Sequence, residues 1–250
     1  MEATTVAIVT GASRGLGQAL ALGLLQPGTR LMTVARSHDE ALDAHAKASG
    51  CPLQQVQTDL ANPAAAERVA QQIVASLPSG AKRYLLINNA GTVDPINQAS
   101  ELHSAAAITA AFNLNVTSVI LLTAAFLRAV KPLQADCRIL NISSGAGRNP
   151  MPGWGVYCAT KAALDHYTQV LHAENHGVRI AALAPGVIDT GMQEKIRGSH
   201  ANDFPSVERF AQMHEQGQLS SPADVAARIL RYIDHDSFGA TVLDDIRNYA

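Results

Sequence analysis

The chain has 250 residues, of which 47% are hydrophobic, and its 19 lysines and arginines nearly balance its 21 aspartates and glutamates. This balance provides no basic field for nucleic acid or an anionic membrane surface, so we expect neither as a partner. The length and apolar content suit one large α/β core, and no linker-like segment interrupts it, so we expect one domain over 1–250.

The first ten residues lack the positive flank and long apolar run of a signal peptide. We also expect no apolar stretch of bilayer-spanning length. Cys51, Cys137 and Cys158 are widely spaced and odd in number, which predicts a reducing, cytoplasmic compartment without a disulfide framework. Cys158 follows Tyr157, but a cysteine within an alanine-rich helix is usually a small packing residue.

The chain begins with a pattern of strand, glycine-rich turn and helix. Val6–Val9 is a β-branched run, and a helical pattern follows the turn from Gln18 to Gln26. Glycines allow a tight turn and close approach to a pyrophosphate, and the helix N-terminus offers free amides. The pattern therefore predicts a nucleotide phosphate site at Gly11, Ser13, Arg14, Gly15, Leu16 and Gly17.

The end of the second predicted strand, Leu31–Val34, indicates which nucleotide is bound. An acidic residue there would hold a ribose 2′-hydroxyl, whereas an arginine accommodates a 2′-phosphate. The sequence offers Ala35 and Arg36, with no carboxylate before Asp39, and Arg14 can supply a second positive charge. These residues favour NADP(H) over NAD.

The remaining chain continues to alternate strands and helices. This alternation predicts an α/β fold, a Rossmann-type doubly wound parallel sheet of about seven strands with helices on both faces. Residues 191–221 are more polar and predict a mobile flap over a site. The later strands are predicted at Leu53–Gln57, Arg83–Ile87, Cys137–Ile142, Val178–Ala184 and Ala240–Leu243.

A tyrosine and a lysine four residues apart on one helix provide candidate catalytic groups. Tyr157 and Lys161 share a helix face, so the ammonium is expected to lower the pKa of the phenol. Ser143 closes a buried strand and should emerge where parallel sheets bind ligands. Asn115 lies among apolar residues and needs hydrogen-bond partners if buried.

Together these residues resemble the short-chain dehydrogenase/reductase family over essentially the whole length. The matching motifs are Thr10-Gly-x-x-x-Gly-x-Gly17, Asn88-Asn-Ala-Gly91, Asn115, Ser143, Tyr157-x-x-x-Lys161 and Pro185-Gly186 with Thr190. The resemblance implies that Tyr157 exchanges a proton with the substrate oxygen, that Ser143 hydrogen-bonds this oxygen, and that Lys161 holds the nicotinamide ribose. Asn115 would position a water that relays protons to Lys161.

The resemblance also implies contacts along the cofactor and the substrate. The further cofactor residues are Asp59, Leu60, Asn89, Ala90, Gly91, Pro185, Gly186, Val187 and Thr190. The implied substrate residues are Ser143, Gly145, Trp154, Tyr157, Gly186, Met192 and Asp244. No metal is implied. The long helices flanking Asn115 and Tyr157 would form a homodimer or homotetramer surface.

Within the family, the chain is similar to the branch of sepiapterin reductase and bacterial benzil reductases, on Gly153–Cys158, Leu85–Thr92 and Ala35–Ser37. This implies an NADPH-dependent carbonyl reductase acting on a ketone or vicinal dicarbonyl, either an aromatic diketone or a sepiapterin-like pterin. The pterin branch uses an aspartate near the C-terminus. An ungapped match places Leu243 there, and a one-residue shift to Asp244 reverses the face of a regular strand unless a bulge realigns it.

Other functions fit the sequence less well. The segment around Ser143 is not the G-x-S-x-G of serine hydrolases. His172 and His176 lack a further ligand pattern for a metal. A non-catalytic NADPH-binding sensor or scaffold and a 3-oxoacyl reductase of the same family remain the alternatives, although the chain lacks the terminal Asp-Gly-Gly pattern of the latter.

Overall fold

The computed structural model describes residues 4–249, which form a seven-stranded sheet with every pair of neighbours parallel. The order is β3-β2-β1-β4-β5-β6-β7, so the chain switches direction across the sheet between β1 and β4. This confirms the predicted fold class. The strands are β1 Thr5–Thr10, β2 Thr29–Ala35, β3 Leu53–Gln57, β4 Arg83–Asn88, β5 Asp136–Ile142, β6 Arg179–Ala184 and β7 Leu243–Asp245.

Helices connect these strands, and several begin at residues that cap them. Asp39 and Asn62 accept hydrogen bonds from free amides at the starts of their helices, and Pro63 occupies a first-turn position that needs no N–H donor. The helices are α1 Gly15–Leu24, α2 Glu40–Ser49, α3 Pro63–Ser76, α4 Ala105–Phe112, α5 Ser118–Val130, α6 Gly155–Glu174, α7 Gly191–Arg197, α8 Val207–Glu215 and α9 Pro222–Asp234.

The central strands are largely apolar because helices cover both faces of the sheet. Side chains alternate between the two faces, so Leu85 and Ile87 join one core cluster while Tyr84 and Leu86 join the other. Burial on both faces fixes the register of each strand. It thereby fixes which residues emerge at the carboxyl ends, where the candidate site lies.

The helical region from Ala105 to Val130 is long and apolar. It comprises α4, a π-helical turn at Asn113–Thr117 and α5, and by length and composition alone it could span a bilayer. The expectation that no apolar stretch approaches that length is therefore wrong. Leu122 and Phe126 are fully buried against the sheet, as in the core helix of a globular fold.

The seventh strand differs from its prediction. It pairs with β6 only from Leu243 to Asp245, whereas Ala240–Leu243 was predicted. The chain makes bends through residues 240–242, after a left-handed Gly239 (φ 85°) that packs against the backbone of Ile180. Pairing therefore begins later than the β-branched composition suggests, and two aspartates occupy this strand.

Candidate active site

A cavity of about 650 Å³ lies along the carboxyl ends of the strands, where open parallel sheets bind ligands. All of the site residues predicted from the sequence line it, apart from Asn115 and Asp244. One end is formed by the glycine turn after β1 and by residues following β2 and β3. The other end is formed by the turn after β5, the N-terminal part of α6 and the segment 191–221.

The glycine turn is built so that only glycine fits at its closest contacts. Gly11 has a left-handed backbone (φ 69°), and a Cβ atom on it would lie 2.8 Å from the Cα atom of Ala90. A Cβ atom on Gly17 would lie 2.2 Å from the Gly11 carbonyl oxygen. The turn thus presses α1 against β4, and the free amides of α1 open into the cavity as in dinucleotide sites.

The end of β4 supports this turn. The Asn89 side chain donates to the carbonyl oxygen of Thr10 at 2.9 Å, and the Thr10 hydroxyl accepts the backbone N–H groups of Asn89 and Ala90, each at 3.0 Å. Gly91 follows on the cavity wall. Asn89 and Ala90, which were predicted to line the adenosine side, thus line the cavity and also hydrogen-bond to Thr10 at the start of the glycine turn.

Two arginines carry the charge at the nucleotide end. Arg14 and Arg36 are exposed, line the cavity, and have no carboxylate partner within residues 4–249. The nearest acidic candidate, Asp39, caps α2 instead and accepts a hydrogen bond from Gln18 at 2.6 Å. The residues present fit a ribose 2′-phosphate better than a 2′-hydroxyl.

We expect Arg36→Asp to reverse this preference. Loss of one charge-assisted contact and gain of a carboxylate should lower kcat/KM for NADPH by about 10- to 100-fold, equivalent to about 1.5 to 3 kcal/mol. The NADPH to NADH ratio of kcat/KM measures the change. Arg68→Asp, an exposed charge reversal on α3, is the control, and an unaltered ratio in Arg36→Asp would refute the phosphate assignment.

Tyr157 is buried at the substrate end, and its environment keeps it protonated. Burial raises the pKa of the phenol, and Cys158 raises it further, whereas a hydrogen bond from Ser144 lowers it. The pKa stays above its ordinary value, so the predicted lowering by Lys161 is wrong for this structure. A protonated phenol is the form that can donate a proton to a substrate oxygen.

Lys161 lies one turn after Tyr157 and is also buried. Its Nζ donates to the Ile142 carbonyl oxygen at 2.8 Å and lies 5.8 Å from the centre of the Tyr157 ring. Burial lowers the pKa of Lys161 to about 8, opposed by the negative charge of Asp165. The side chain is therefore mainly an ammonium at neutral pH and loses that charge as the pH rises through about 8.

Ser143 and Ser144 are adjacent, and their hydroxyls contact different groups. Ser143, the serine predicted to contact the substrate oxygen, is buried, and its hydroxyl donates at 2.5 Å to Asp165, which lies outside the cavity. Ser144 is half-buried and supplies the hydroxyl that meets Tyr157. Successive residues of an extended chain face opposite sides, so only one of the two serines can point towards the phenol.

Substituting the two serines separately distinguishes them. We expect Ser144→Ala to lower kcat for a dicarbonyl substrate by about 100-fold, because the developing charge on the oxygen loses a prearranged donor. Ser143→Ala should lower kcat less than about tenfold, since its hydroxyl serves a buried carboxylate. Steady-state kinetics of both variants with the same substrate test this, and a reversed order would contradict the placement.

Asn115 does not line the cavity. Its side-chain oxygen accepts the N–H of Thr92 at 2.8 Å, and its amide donates to the Thr92 carbonyl at 2.9 Å and to the Thr160 hydroxyl at 3.0 Å. These bonds join the π-helical turn, the segment after β4 and α6. A Cβ atom on Gly91 would lie 3.3 Å from Asn115 Oδ1 and 3.7 Å from Lys161 Nζ. The Asn115 amide and the Lys161 ammonium therefore lie close to each other, both beside Gly91.

The segment 191–221 covers the substrate end with apolar groups. Trp154 stacks on Phe204 with ring centres 4.7 Å apart and meets the edge of Tyr157 at 5.4 Å. Phe204 is fully buried, and Phe210 packs 5.5 Å from Trp154. Trp154 is thus held by the covering segment rather than free to stack on a ligand. Gly145, Met192, Phe210 and Met213 complete an apolar wall.

The aspartate predicted to reach the substrate is also displaced. Asp244 is buried outside the cavity, where its carboxylate accepts the hydroxyls of Tyr232 and Tyr249. Asp245 lines the cavity instead, with both carboxylate oxygens held by the Arg247 guanidinium at 2.8 and 2.6 Å. Strand alternation explains the exchange, because neighbouring residues of β7 face opposite sides.

Comparison with known proteins matches this geometry to a family. Residues 5–201 match the family model described as short chain dehydrogenase. A Bacillus cereus protein named benzil reductase ((S)-benzoin forming) is 37% identical over 238 residues, which cover 92% of this chain and 94% of the relative. Sepiapterin reductase of Meriones unguiculatus is 35% identical over 244 residues, covering 93% and 92% of the two chains.

The fold is also found in solved structures. A short chain dehydrogenase from Burkholderia cenocepacia, in complex with NADP, superimposes with a TM-score of 0.77 at 28% identity. The match covers 97% of this chain and 95% of that one. The resemblance therefore extends over the sheet, the glycine turn and the covering segment.

Proposed function

The chain belongs to the short chain dehydrogenase family, and from that membership we propose that it reduces one carbonyl of an aromatic vicinal dicarbonyl to a hydroxyl group. It is an NADP-dependent oxidoreductase. When bound, NADPH supplies the hydride. The glycine turn and the unpaired Arg14 and Arg36 fit its pyrophosphate and 2′-phosphate.

Each catalytic side chain has a role that follows from its surroundings. Tyr157, protonated because it is buried, donates its proton to the carbonyl oxygen as negative charge develops there. Ser144 hydrogen-bonds the same oxygen. Lys161, as an ammonium, holds the nicotinamide ribose and stabilises the phenolate that remains. Asn115 holds the segment after β4 against α6 through its hydrogen bonds to Thr92 and Thr160. It therefore acts as a positioning residue.

The side chains that line the substrate end favour an aromatic dicarbonyl as the substrate. Trp154, Phe210 and Met213 exclude water and offer apolar contact beside Tyr157. A pterin presents paired N–H donors that need a free carboxylate. The carboxylate available on this wall, Asp245, is already bonded by both arms of Arg247.

Parallel initial rates with benzil, sepiapterin and an acetoacetyl thioester test the proposed substrate class. We expect NADPH oxidation to be fastest with benzil. Arg247→Ala should free Asp245 and raise the sepiapterin rate relative to the benzil rate, with the exposed Arg209→Ala as a second cavity-lining arginine for comparison. Preference of the wild type for the thioester would assign the chain to 3-oxoacyl reduction, and NADPH binding without turnover of any substrate would favour a sensor or scaffold.

We also propose that the protein self-associates through the outer faces of α4, α5 and α6, as a homodimer or homotetramer in the cytoplasm. Phe112, Ile120 and Val170 on these helices are among the exposed large hydrophobic side chains of residues 4–249. An apolar patch formed by these side chains would favour association with a second copy. Light scattering after size exclusion would separate dimer from tetramer, and a monomer at micromolar concentration would contradict the proposal.

A further inference from the structure

A buried carboxylate outside the cavity joins the two ends of the turn that carries Ser144. Asp165 is 4% exposed; its Oδ1 accepts the hydroxyl of Ser143 at 2.5 Å and its Oδ2 accepts the Arg148 guanidinium at 2.9 Å. Ser143 immediately precedes Ser144, and Arg148 immediately follows the 3₁₀ turn Gly145–Gly147. One side chain therefore fixes the backbone on both sides of the turn.

The turn lies directly against the catalytic helix. A Cβ atom on Gly147 would lie 2.8 Å from the carbonyl carbon of Lys161, so the turn and α6 touch through their backbones. Asp165 stands one helical turn after Lys161, on the same face. The carboxylate is thus placed to act on the turn through hydrogen bonds and on Lys161 through its charge.

Arg148 extends the network to the edge of the sheet. It donates to the carbonyl oxygens of Asp244 at 3.0 Å and Ala182 at 3.2 Å, and its side chain is 27% exposed. Its charge also helps to lower the pKa of Asp245 on the cavity wall. Arg148 therefore balances part of the negative charge of Asp165 while tying β6 and β7 to the same turn.

We propose that Asp165 is a positioning residue of the active site, which clamps the Ser144 turn onto α6 and keeps Lys161 in its ammonium form. The inference rests on the roles proposed above for Tyr157 and Lys161. Tyr157 and Asp165 are the titratable side chains beside Lys161 in this network, and Arg148 pairs with Asp165. Ser143 and the Ile142 carbonyl contribute neutral dipoles. Burial drives the Lys161 pKa down, and Asp165 is the charge that opposes it.

Direct titration of Lys161 tests the electrostatic part without relying on turnover. Protein labelled with ¹³C at lysine Cε would be titrated by NMR, with the Lys161 signal assigned by its loss in Lys161→Arg. We expect a wild-type pKa of about 8. Asp165→Asn should lower it by about 0.5 to 1 unit, whereas Arg148→Met, which leaves the carboxylate uncompensated, should raise it.

The two variants are expected to shift the Lys161 pKa in opposite directions. Loosening of the turn alone would not produce shifts of opposite sign, so the pair of variants distinguishes an electrostatic role of Asp165 from a purely structural one. Kinetics supply the second readout. Asp165→Asn should lower kcat with benzil about tenfold or more, with little change in the KM for benzil, since the carboxylate lies outside the cavity. Asp165→Glu, which keeps the charge, should keep Lys161 near its wild-type pKa.

An unchanged Lys161 pKa in folded Asp165→Asn protein, or shifts of the same sign in both variants, would overturn the inference. If Asp165→Asn does not fold, Arg148→Met decides by whether the pKa of Lys161 rises. Inactivity of the wild type towards all dicarbonyls would instead count against the proposed function, because the titration of Lys161 would still report on Asp165.

Discussion

Replacing Tyr157 by phenylalanine is expected to abolish dicarbonyl reduction while NADPH still binds. The variant removes only the hydroxyl that we propose as the proton donor, and its loss should lower kcat by about 100- to 10,000-fold. The aromatic ring remains, so its edge contact with Trp154 and the packing of the covering segment are kept. NADPH oxidation with benzil measures the loss, and NADPH fluorescence measures binding.

The same helix offers a matched control. Tyr167 lies on α6 and is half-buried outside the cavity, so Tyr167→Phe deletes an equivalent hydroxyl away from the site. It should retain wild-type kcat. Turnover of Tyr157→Phe within about tenfold of the wild type would show that another group supplies the proton, because a general acid contributes at least about 100-fold.

Lys161→Ala is expected to impair both cofactor binding and turnover. The ammonium would hold the ribose and stabilise the phenolate, and loss of one charge-assisted hydrogen bond corresponds to about 1.5 to 3 kcal/mol, or about 10- to 100-fold in NADPH affinity. We expect kcat to fall by about 100-fold as well. Lys47→Ala, an exposed lysine on α2, should change neither quantity.

The pH dependence of the wild type follows from the same side chain. Because burial lowers the pKa of Lys161 to about 8, the ammonium is present below that pH and is lost above it. We therefore expect kcat/KM for NADPH to decline as the pH rises through about 8. The Tyr157 pKa is raised, so the phenol stays protonated over the same interval. Wild-type affinity and rate in Lys161→Ala would contradict both roles.

Sequence reasoning predicted the fold because its signals are local and agree with one another. Apolar runs buried on both faces identify parallel strands, as in β4, which begins at Arg83 as predicted. The seventh strand was misplaced because β propensity cannot show where a short edge strand starts to pair.

The geometry of the site is harder to predict from the sequence than the fold. Where two adjacent residues are of the same type, their roles depend on which face of the strand each side chain occupies. Ser143 and Ser144 are neighbours of the same type, and Asp244 and Asp245 are another such pair. Only the register of β5 against β6, and of β6 against β7, decides which serine hydroxyl contacts Tyr157 and which aspartate lines the cavity. The roles assigned to the remaining site residues stay predictions.

The pKa of Tyr157 was misjudged for a different reason. A tyrosine and a lysine on one helix face suggest a lowered phenol pKa, but this inference ignores desolvation, which acts on both groups when the covering segment packs over them. Burial raises the pKa of the tyrosine and lowers that of the lysine. The extent of burial depends on residues distant in the sequence, such as Phe204 and Phe210.

The most direct test of the proposed activity is the fate of the hydride in a reaction with benzil. Purified protein would be supplied with NADPH carrying deuterium at C4, in two preparations labelled on opposite faces of the ring, and the product analysed by mass spectrometry and NMR. We predict deuterium on the carbinol carbon of benzoin from one preparation only, with one NADPH consumed per benzil. Consumption of NADPH with deuterium in benzoin from neither preparation, or no consumption at all, would contradict carbonyl reduction at this site.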